Sequence, residues 1–480
     1  MGKKSASEFG DIRLDKAFSD LLSEMSNRYS VILRQLSDDR NTEVRFQNFI
    51  KNPKVTPNRI LSHHCSLLEN DWSEEHMLLI SDTSTLSFPY RKNREELGEL
   101  GGVKSKHTKK ARLSGFHIHP SIFVNASDGG LCGLGAIDII KTPIAKTLLD
   151  KVERIEYRKL VPKLAFEEKE RYKWINSPSK AIENAPNAKR YTLIGDRETD
   201  IYDLMYLTLE EGHDFIYRSQ FNRRIFSKDT KTSKTSKKSK TLSDVLKEWE
   251  VEFSYTLAVE TTKHHSKHEA ELEVKYGKTL IKKPKDHPNK TLTSHLPVYV
   301  VEVKENSNTV FPNEKPIHWI LLTSHPVETK KEAMQIIRWY LYRWIIEELF
   351  RTLKKKGLNI EVSEIETYHG LINLTTLALL AAVQTMQLVQ SRKGKTNQKL
   401  DDVFSKKEQQ CLILLNEKLQ GNTEKTENPY DFDTLAFGTW VIARLGGWNG
   451  YQSERPPGPI TMTNGLIRFY QILQGFYLML

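Results

Sequence analysis

His76-Met77-Leu78-Leu79-Ile80-Ser81-Asp82 is an apolar run that stops on an acid, and Tyr191-Thr192-Leu193-Ile194-Gly195-Asp196 repeats the pattern further along the chain. Short apolar runs bounded by polar residues predict buried strands. An acid closing such a strand is by itself often no more than the start of a turn. Around these two runs, residues 115–124 and 131–140 read as further strands flanking the turn signal Asp128-Gly129-Gly130. A polar, helical region is expected over 143–184, a helix near 200–210 and a short strand over 214–218. Strands mixed with helices in this order predict an α/β core.

The flanks read differently. Residues 11–34 look helical, with Leu14, Phe18, Leu21 and Leu22 on one side, and a second helical stretch near 42–51 stops at Asn52-Pro53. Residues 1–70 are therefore expected to form a small helical domain. The α/β core is expected over 71–218 and 317–392. Residues 219–316 interrupt it with a Lys/Ser/Thr-rich run at 227–241, expected to be a loop, and with strand-like alternation at 297–303; they read as an inserted β-rich domain. Residues 318–323 alternate in the same way. A polar linker at 393–399 opens a helical C-terminal unit, 393–480. The most apolar stretch, 371–389, carries Asn373, Thr375, Thr376, Gln384 and Gln387, which favours a buried helix over a membrane span.

A chain of 480 residues is expected to hold several structural units, and 38% hydrophobic residues suffice for real cores. The formal net charge of +11 favours a polyanionic partner, either nucleic acid or an anionic membrane surface, although a solvated lysine surface gives the same number. Two basic runs, 104–112 and 228–240, are expected to loop out, either as solvated segments or as contacts for phosphates. Cys65, Cys132 and Cys411 are too few and too scattered for a disulfide framework or a cysteine-rich zinc site. Residues 1–10 are polar and show no secretory signal, so a cytoplasmic location with no membrane partner is expected.

The segment 330–356 predicts a strong helix ending before Gly357. On it Tyr340, Arg343, Glu347 and Lys354 fall within a stripe about 60° wide, about 21 Å long, opposite Leu341, Ile345, Ile346, Leu349, Phe350 and Leu353. A stripe of that length, basic at either side of one carboxylate, suits a long polyanion when it faces outward. An ordinary solvated face with an Arg343–Glu347 pair would look the same. Set beside Asp82 and Asp196, Glu347 completes a plausible three-carboxylate site. Carboxylate oxygens suit magnesium, and two such ions about 3.5–4 Å apart can activate a nucleophile and stabilise a leaving oxygen in phosphoryl transfer. A glycosidase carboxylate pair gives no reason for the basic stripe.

Ser81-Asp82-Thr83-Ser84-Thr85-Leu86-Ser87-Phe88, with Glu96-Leu97-Gly98-Glu99-Leu100-Gly101 after it, resembles the first catalytic segment of the insertion sequence four family of bacterial DDE transposases, transposon-five type. Gly195-Asp196-Arg197-Glu198-Thr199-Asp200-Ile201 is similar to the second segment. Tyr340, Arg343, Glu347 and Lys354 match the family's Y-R-E-K signature in every position and spacing. Phe49-Ile50-Lys51-Asn52-Pro53 and the stretch 440–447 resemble terminal segments of the same family. The resemblance implies a ribonuclease-H-like catalytic core with an inserted β-rich domain, a helical N-terminal DNA-end-recognition domain and a helical C-terminal dimerisation domain. It implies cut-and-paste transposition: nicking, hairpin formation and strand transfer on double-stranded DNA by a homodimer. Asp82, Asp196 and Glu347 would hold two Mg2+ ions, with Mn2+ as an alternative. Tyr340, Arg343, Lys354 and Arg218 would contact DNA, and Trp319 would stack on a flipped base. Without the resemblance, Trp319 reads as a core aromatic on a strand. Two other readings are a catalytically silent, transposase-derived DNA-binding regulator and a stand-alone metal nuclease.

Overall fold

The computed structural model describes residues 8–67, 72–89, 97–105, 108–141, 155–156, 160, 164, 166, 168–185, 188–226, 240–261, 265–287, 289–354, 357–421, 423, 426–451 and 453–479. Among the described residues eleven strands form one mixed sheet: β1 (His76–Ser81), β2 (Ser84–Pro89), β3 (Gly98–Ser105), β4 (Thr108–Asn125), β5 (Leu131–Ile140), β6 (Arg190–Gly195), β7 (Asp214–Arg218), β8 (Phe253–Val259), β9 (His268–Lys282), β10 (His295–Glu305) and β11 (His318–Thr323). The path runs β2-β4-β1-β6-β7-β11-β10-β9-β8, with β3 and β5 on the other side of β4. β1 is antiparallel to β4 and parallel to β6, and β6 is parallel to β7.

β1 is apolar from Met77 to Ile80 because both of its faces are covered. Leu78 and Ile80 point into one core and Met77 and Leu79 into the other, the alternation that a pleated strand imposes. The same split places Ile194 and Ile216 with the first core and Leu193 and Phe215 with the second. Each such side chain contributes about 1.5–3 kcal/mol by leaving water.

The first three helices begin at capping side chains. Helix α1 (Ile12–Arg28) starts at Asp11, whose carboxylate accepts from Arg13 N at 2.9 Å; it ends at Tyr29, earlier than the expected 34, where the backbone turns left-handed at φ 50. Asp39 caps α2 (Arg40–Lys51), and Thr56 with Pro57 starts α3 (Pro57–Ser66). Next come α4 (Lys173–Asn184), α5 (Tyr202–Glu210) and α6 (Leu242–Glu248). Much of the expected helical region 143–184 before α4 lies outside the described residues, as do residues 227–239 of the Lys/Ser/Thr run. Residues 104–112, expected to loop out, lie mostly in β3 and β4, which pair through Val103 and Ala111; Lys106 lies outside the described residues. Backbone pairing continues there past the end of the apolar pattern, which is why the pattern did not mark it. The strands within 219–316 do not close a sheet of their own: β10 pairs β11 and β11 pairs β7, so they extend the core sheet.

The expected single helix 330–356 is two helices, α7 (Lys330–Leu341) and α8 (Trp344–Leu353). A capping box of Thr329 and Glu332 starts the first. Between them Ile345 N bonds Tyr342 O at 2.9 Å and Ile346 N bonds Arg343 O at 3.3 Å. Tightening to i,i+3 bonds breaks the helix with no Gly or Pro to signal it. Residues 355–356 lie outside the described residues.

Helix α9 (Tyr368–Ser391) is long and apolar enough to cross a membrane, but it is buried inside the protein. Asn373 on α9 donates to Ile50 O at 2.9 Å and Val55 O at 2.8 Å, tying the N-terminal helices to the core. Helices α10 (Lys406–Leu419), α11 (Leu435–Leu445) and α12 (Pro459–Met479) complete the chain, and α9 packs against α11 and α12.

Candidate functional site

The site lies where β1 and β6 end together. Ile80 is the register partner of Ile194. Two residues further, Asp82 and Asp196 leave adjacent strands at the same level, on the parity of Leu78, Ile80 and Ile194. That is the sheet face on which α7 and α8 pack through Ile336, Ile337, Tyr340 and Ile346. Asp82 and Thr83 also form the break between β1 and β2, which lie end to end along β4. The break is pinned. Thr83 N donates to Asp82 Oδ1 at 2.7 Å, and Thr83 Oγ1 lies 2.9 Å from His119 Nδ1. After β6, Asp196 Oδ1 accepts from Glu198 N at 2.9 Å and Thr199 Oγ1 donates to Asp196 O at 2.6 Å.

Glu347 reaches this end of the sheet from the first turn of α8. Arg343 joins it to Asp82: its Nη1 lies 2.7 Å from Glu347 Oε1 and 3.3 Å from Asp82 Oδ2. Burial, then the neighbouring charge of Asp196, push Asp82 up to about 6; Glu347 adds to this, while the Thr83 amide and Arg343 work against it. Arg343 stays charged above its usual range: burial opposes the charge, but Tyr340, Glu347 and Asp82 outweigh it.

The expected outward stripe is inverted. Tyr340 is 2% exposed and Arg343 7%, so this part of the stripe faces the carboxyl ends of the strands and not open solvent. The break at Tyr342–Arg343 accounts for the difference, because a helical wheel assumes an unbroken helix. Glu347 keeps 29% of its side chain exposed. Lys354, at the far end, donates to Thr85 O at 2.7 Å, three residues beyond Asp82, and burial lowers its pKa despite the nearby Glu361.

Arg218 ends β7 and donates to His318 O at 2.9 Å; burial lowers its pKa, Tyr340 opposes this, and Arg197 and Arg343 add to it. Trp319, next to His318 on β11, is 9% exposed, with its ring centroid 5.9 Å from that of Tyr340. Arg218, Trp319, Tyr340 and Arg343 therefore form one continuous group leading to Asp82. Trp319 sits in the core as a packed aromatic.

Two neighbours escaped the sequence reading. His119 is fully buried, edge-on to Trp174 at 4.5 Å, and burial holds its pKa well below the usual histidine range. Lys173, almost fully buried, pairs with Glu198 at 3.3 Å and Glu170 at 3.6 Å. The alternation in β4 places His117 and His119 on one face, but only the register of β4 against β2 brings His119 to Thr83.

Among the described residues no three His, Cys, Asp or Glu side chains converge on one metal point. The position between Asp82 and Glu347 is taken by the Arg343 guanidinium, a cation among carboxylates. An all-carboxylate donor set is the kind that could hold a hard divalent cation.

No family model matches the chain. A solved structure, the cryo-EM structure of a piggyBac transposase synaptic complex with hairpin DNA, aligns over 98% of this chain and 73% of that one, at 10% identity and a TM-score of 0.33. At that level the function rests on the chain's own residues.

Proposed function

We propose that the protein is a metal-dependent DNA transposase with Asp82, Asp196 and Glu347 as its catalytic acids. The observation that carries this reading is that Asp82 and Asp196 leave adjacent parallel strands at the same level, while Glu347, from a distant part of the chain, shares the Arg343 guanidinium with Asp82. The reading includes a ribonuclease-H-like core. The arrangement β5-β4-β1-β6-β7, antiparallel through the first three strands and parallel from β1 onward, supports it.

Asp82, Asp196 and Glu347 would hold the divalent ions, magnesium or manganese, once Arg343 moves aside. Bound there, such ions lower the pKa of a water and stabilise a leaving oxygen. The remaining work falls to the protein's cations. In the first step water adds to phosphorus and the P–O3′ bond breaks, leaving a 5′-phosphate and a free 3′-OH. In the second, that 3′-OH attacks a phosphorus of the opposite strand. The new P–O bond closes a hairpin as the P–O3′ bond at that phosphorus breaks. The proton given up by the attacking hydroxyl is balanced by the one taken by the leaving oxygen, which departs as a flanking 3′-OH. Arg343 and Lys354 would hold phosphates on either side of Glu347, with Arg218 and Tyr340 lining the approach. A fork of guanidinium donors fits a phosphate better than a point charge does. Stacking of a flipped base on Trp319 requires that ring to come out of its contact with Tyr340. A homodimer that pairs two DNA ends, and the excess of positive charge, belong to the same reading.

The test is a cleavage assay. Wild type and Glu347→Ala are incubated with magnesium and labelled DNA carrying the repeats that flank the gene. Nicks and hairpins at the repeat boundary with wild type alone, abolished by chelation, are expected. DNA binding by wild type with no product in either magnesium or manganese would favour the silent regulator instead.

A further inference from the structure

On the reading that the three acids hold a divalent cation, we propose that Arg343 occupies the cation position of the DNA-free chain. A DNA phosphate then draws it off, so that the site takes up metal with DNA in place and not before.

One nitrogen of Arg343 serves both Glu347 and Asp82, at 2.7 and 3.3 Å. A divalent ion bridging those two carboxylates would lie against that guanidinium, and like charges exclude each other there. The arginine is well seated, with its guanidinium carbon 5.8 Å from the Tyr340 ring centroid and 5.4 Å from that of Trp344. It is not saturated, since its Nε is buried without a hydrogen-bond partner. A phosphate offers that group what the carboxylates leave unmet: several acceptor oxygens in the plane of the fork. Arg218, which carries like charge beside it, adds repulsion that a phosphate between the two would relieve. Arg343 sits at the break between α7 and α8, where the chain is not committed to one helical run. If DNA raises metal affinity in this way, metal raises DNA affinity by the same factor.

The test reads metal binding, not turnover. Free Mn2+ is followed by electron paramagnetic resonance in titrations of wild type, Arg343→Met and the double variant Asp82→Asn/Arg343→Met. Each is done without DNA and with a short duplex, duplex alone being subtracted. Thermal melts confirm folding, and Arg343→Gln replaces the Met variant if the latter does not fold. Without DNA, Arg343→Met is expected to bind Mn2+ about tenfold more tightly than wild type, within the usual range of coupling. The duplex should bring wild type toward the variant and change the variant less, and Asp82→Asn should remove the gain. Equal or weaker binding by Arg343→Met, with Asp82→Asn still abolishing it, overturns the arginine proposal and leaves the metal site standing. No Mn2+ bound by any form, with or without duplex, overturns the metal reading and this proposal together.

Discussion

Ile80 and Ile194 are partners across two parallel strands, and each is followed two residues later by an aspartate. The parallel register is what makes Asp82 and Asp196 neighbours; a shift of one residue would turn one of them to the other face of the sheet. Conservative removal of either charge therefore tests the site without disturbing the core. Asp82→Asn and Asp196→Asn are each expected to lower DNA nicking at least about 100-fold, the scale of losing one key electrostatic group. Melting temperatures should change little. Unchanged nicking with both variants would remove these acids from the site.

Gly195 precedes Asp196 at a point where no side chain fits. A Cβ there would stand 2.1 Å from Thr199 Cγ2, and Thr199 is fully buried with its hydroxyl bonded to Asp196 O at 2.6 Å. Gly195→Ala must push the 196–199 turn away from β6, at about 1–3 kcal/mol for overpacking. Urea denaturation should show that loss, and nicking should fall further than stability explains because Asp196 moves. Wild-type midpoint and activity together would mean that Thr199 yields without moving the acid.

Much of this site was legible in the sequence. β1, β6 and β7 follow from apolar runs bounded by polar residues, and both aspartates stand at the strand ends the runs predict. The 340–354 spacing singled out Arg343 and Glu347. The inward direction of Tyr340 and Arg343 was not legible, because the i,i+3 bonds at 342–346 that break the helix come from no residue with a known breaking tendency. His119 was missed for a different reason. It becomes a neighbour of Thr83 only through the pairing of β2 with β4, a non-local contact that alternation within either strand does not encode. The sheet's extension through β8–β11 was hidden in the same way: each strand could be read, but not which edge it joins.

Trp319 separates a packed aromatic from a ligand-facing one. It is 9% exposed and rests on Tyr340. Trp319→Ala is expected to cost about 3–5 kcal/mol, the usual range for emptying a large core position. Trp319→Phe, which keeps a ring against Tyr340, should cost less, about 1.5 kcal/mol. Urea midpoints decide the matter. A Trp319→Ala protein as stable as wild type but defective in cleavage would show that the ring does its work on DNA and not in the core.

At the opposite end of β1 and β6 lies a histidine pair that should make the fold acid-sensitive. Arg190 Nη2 lies 3.1 Å from His325 Nδ1, and because arginine only donates, that nitrogen must be unprotonated. His325 Nε2 then donates to Thr192 Oγ1 at 2.8 Å, and Thr192 is 2.8 Å from His76 Nε2. Burial lowers His325 to about 4; Asp214 opposes this, and Arg190 and His76 add to it. Burial, with Arg190, likewise lowers His76 to about 4. A folded value below the unfolded value of 6.5 means that the unfolded chain takes up the proton first as pH falls. The stability is complete above about 6.5 and is lost progressively down to about 4, at up to about 1.4 kcal/mol per pH unit for His325. Urea midpoints measured between pH 7 and pH 4.5 should therefore fall, and His325→Asn should flatten that fall while lowering stability at pH 7. An equal slope in wild type and His325→Asn would show that the pair does not stay neutral in the folded chain.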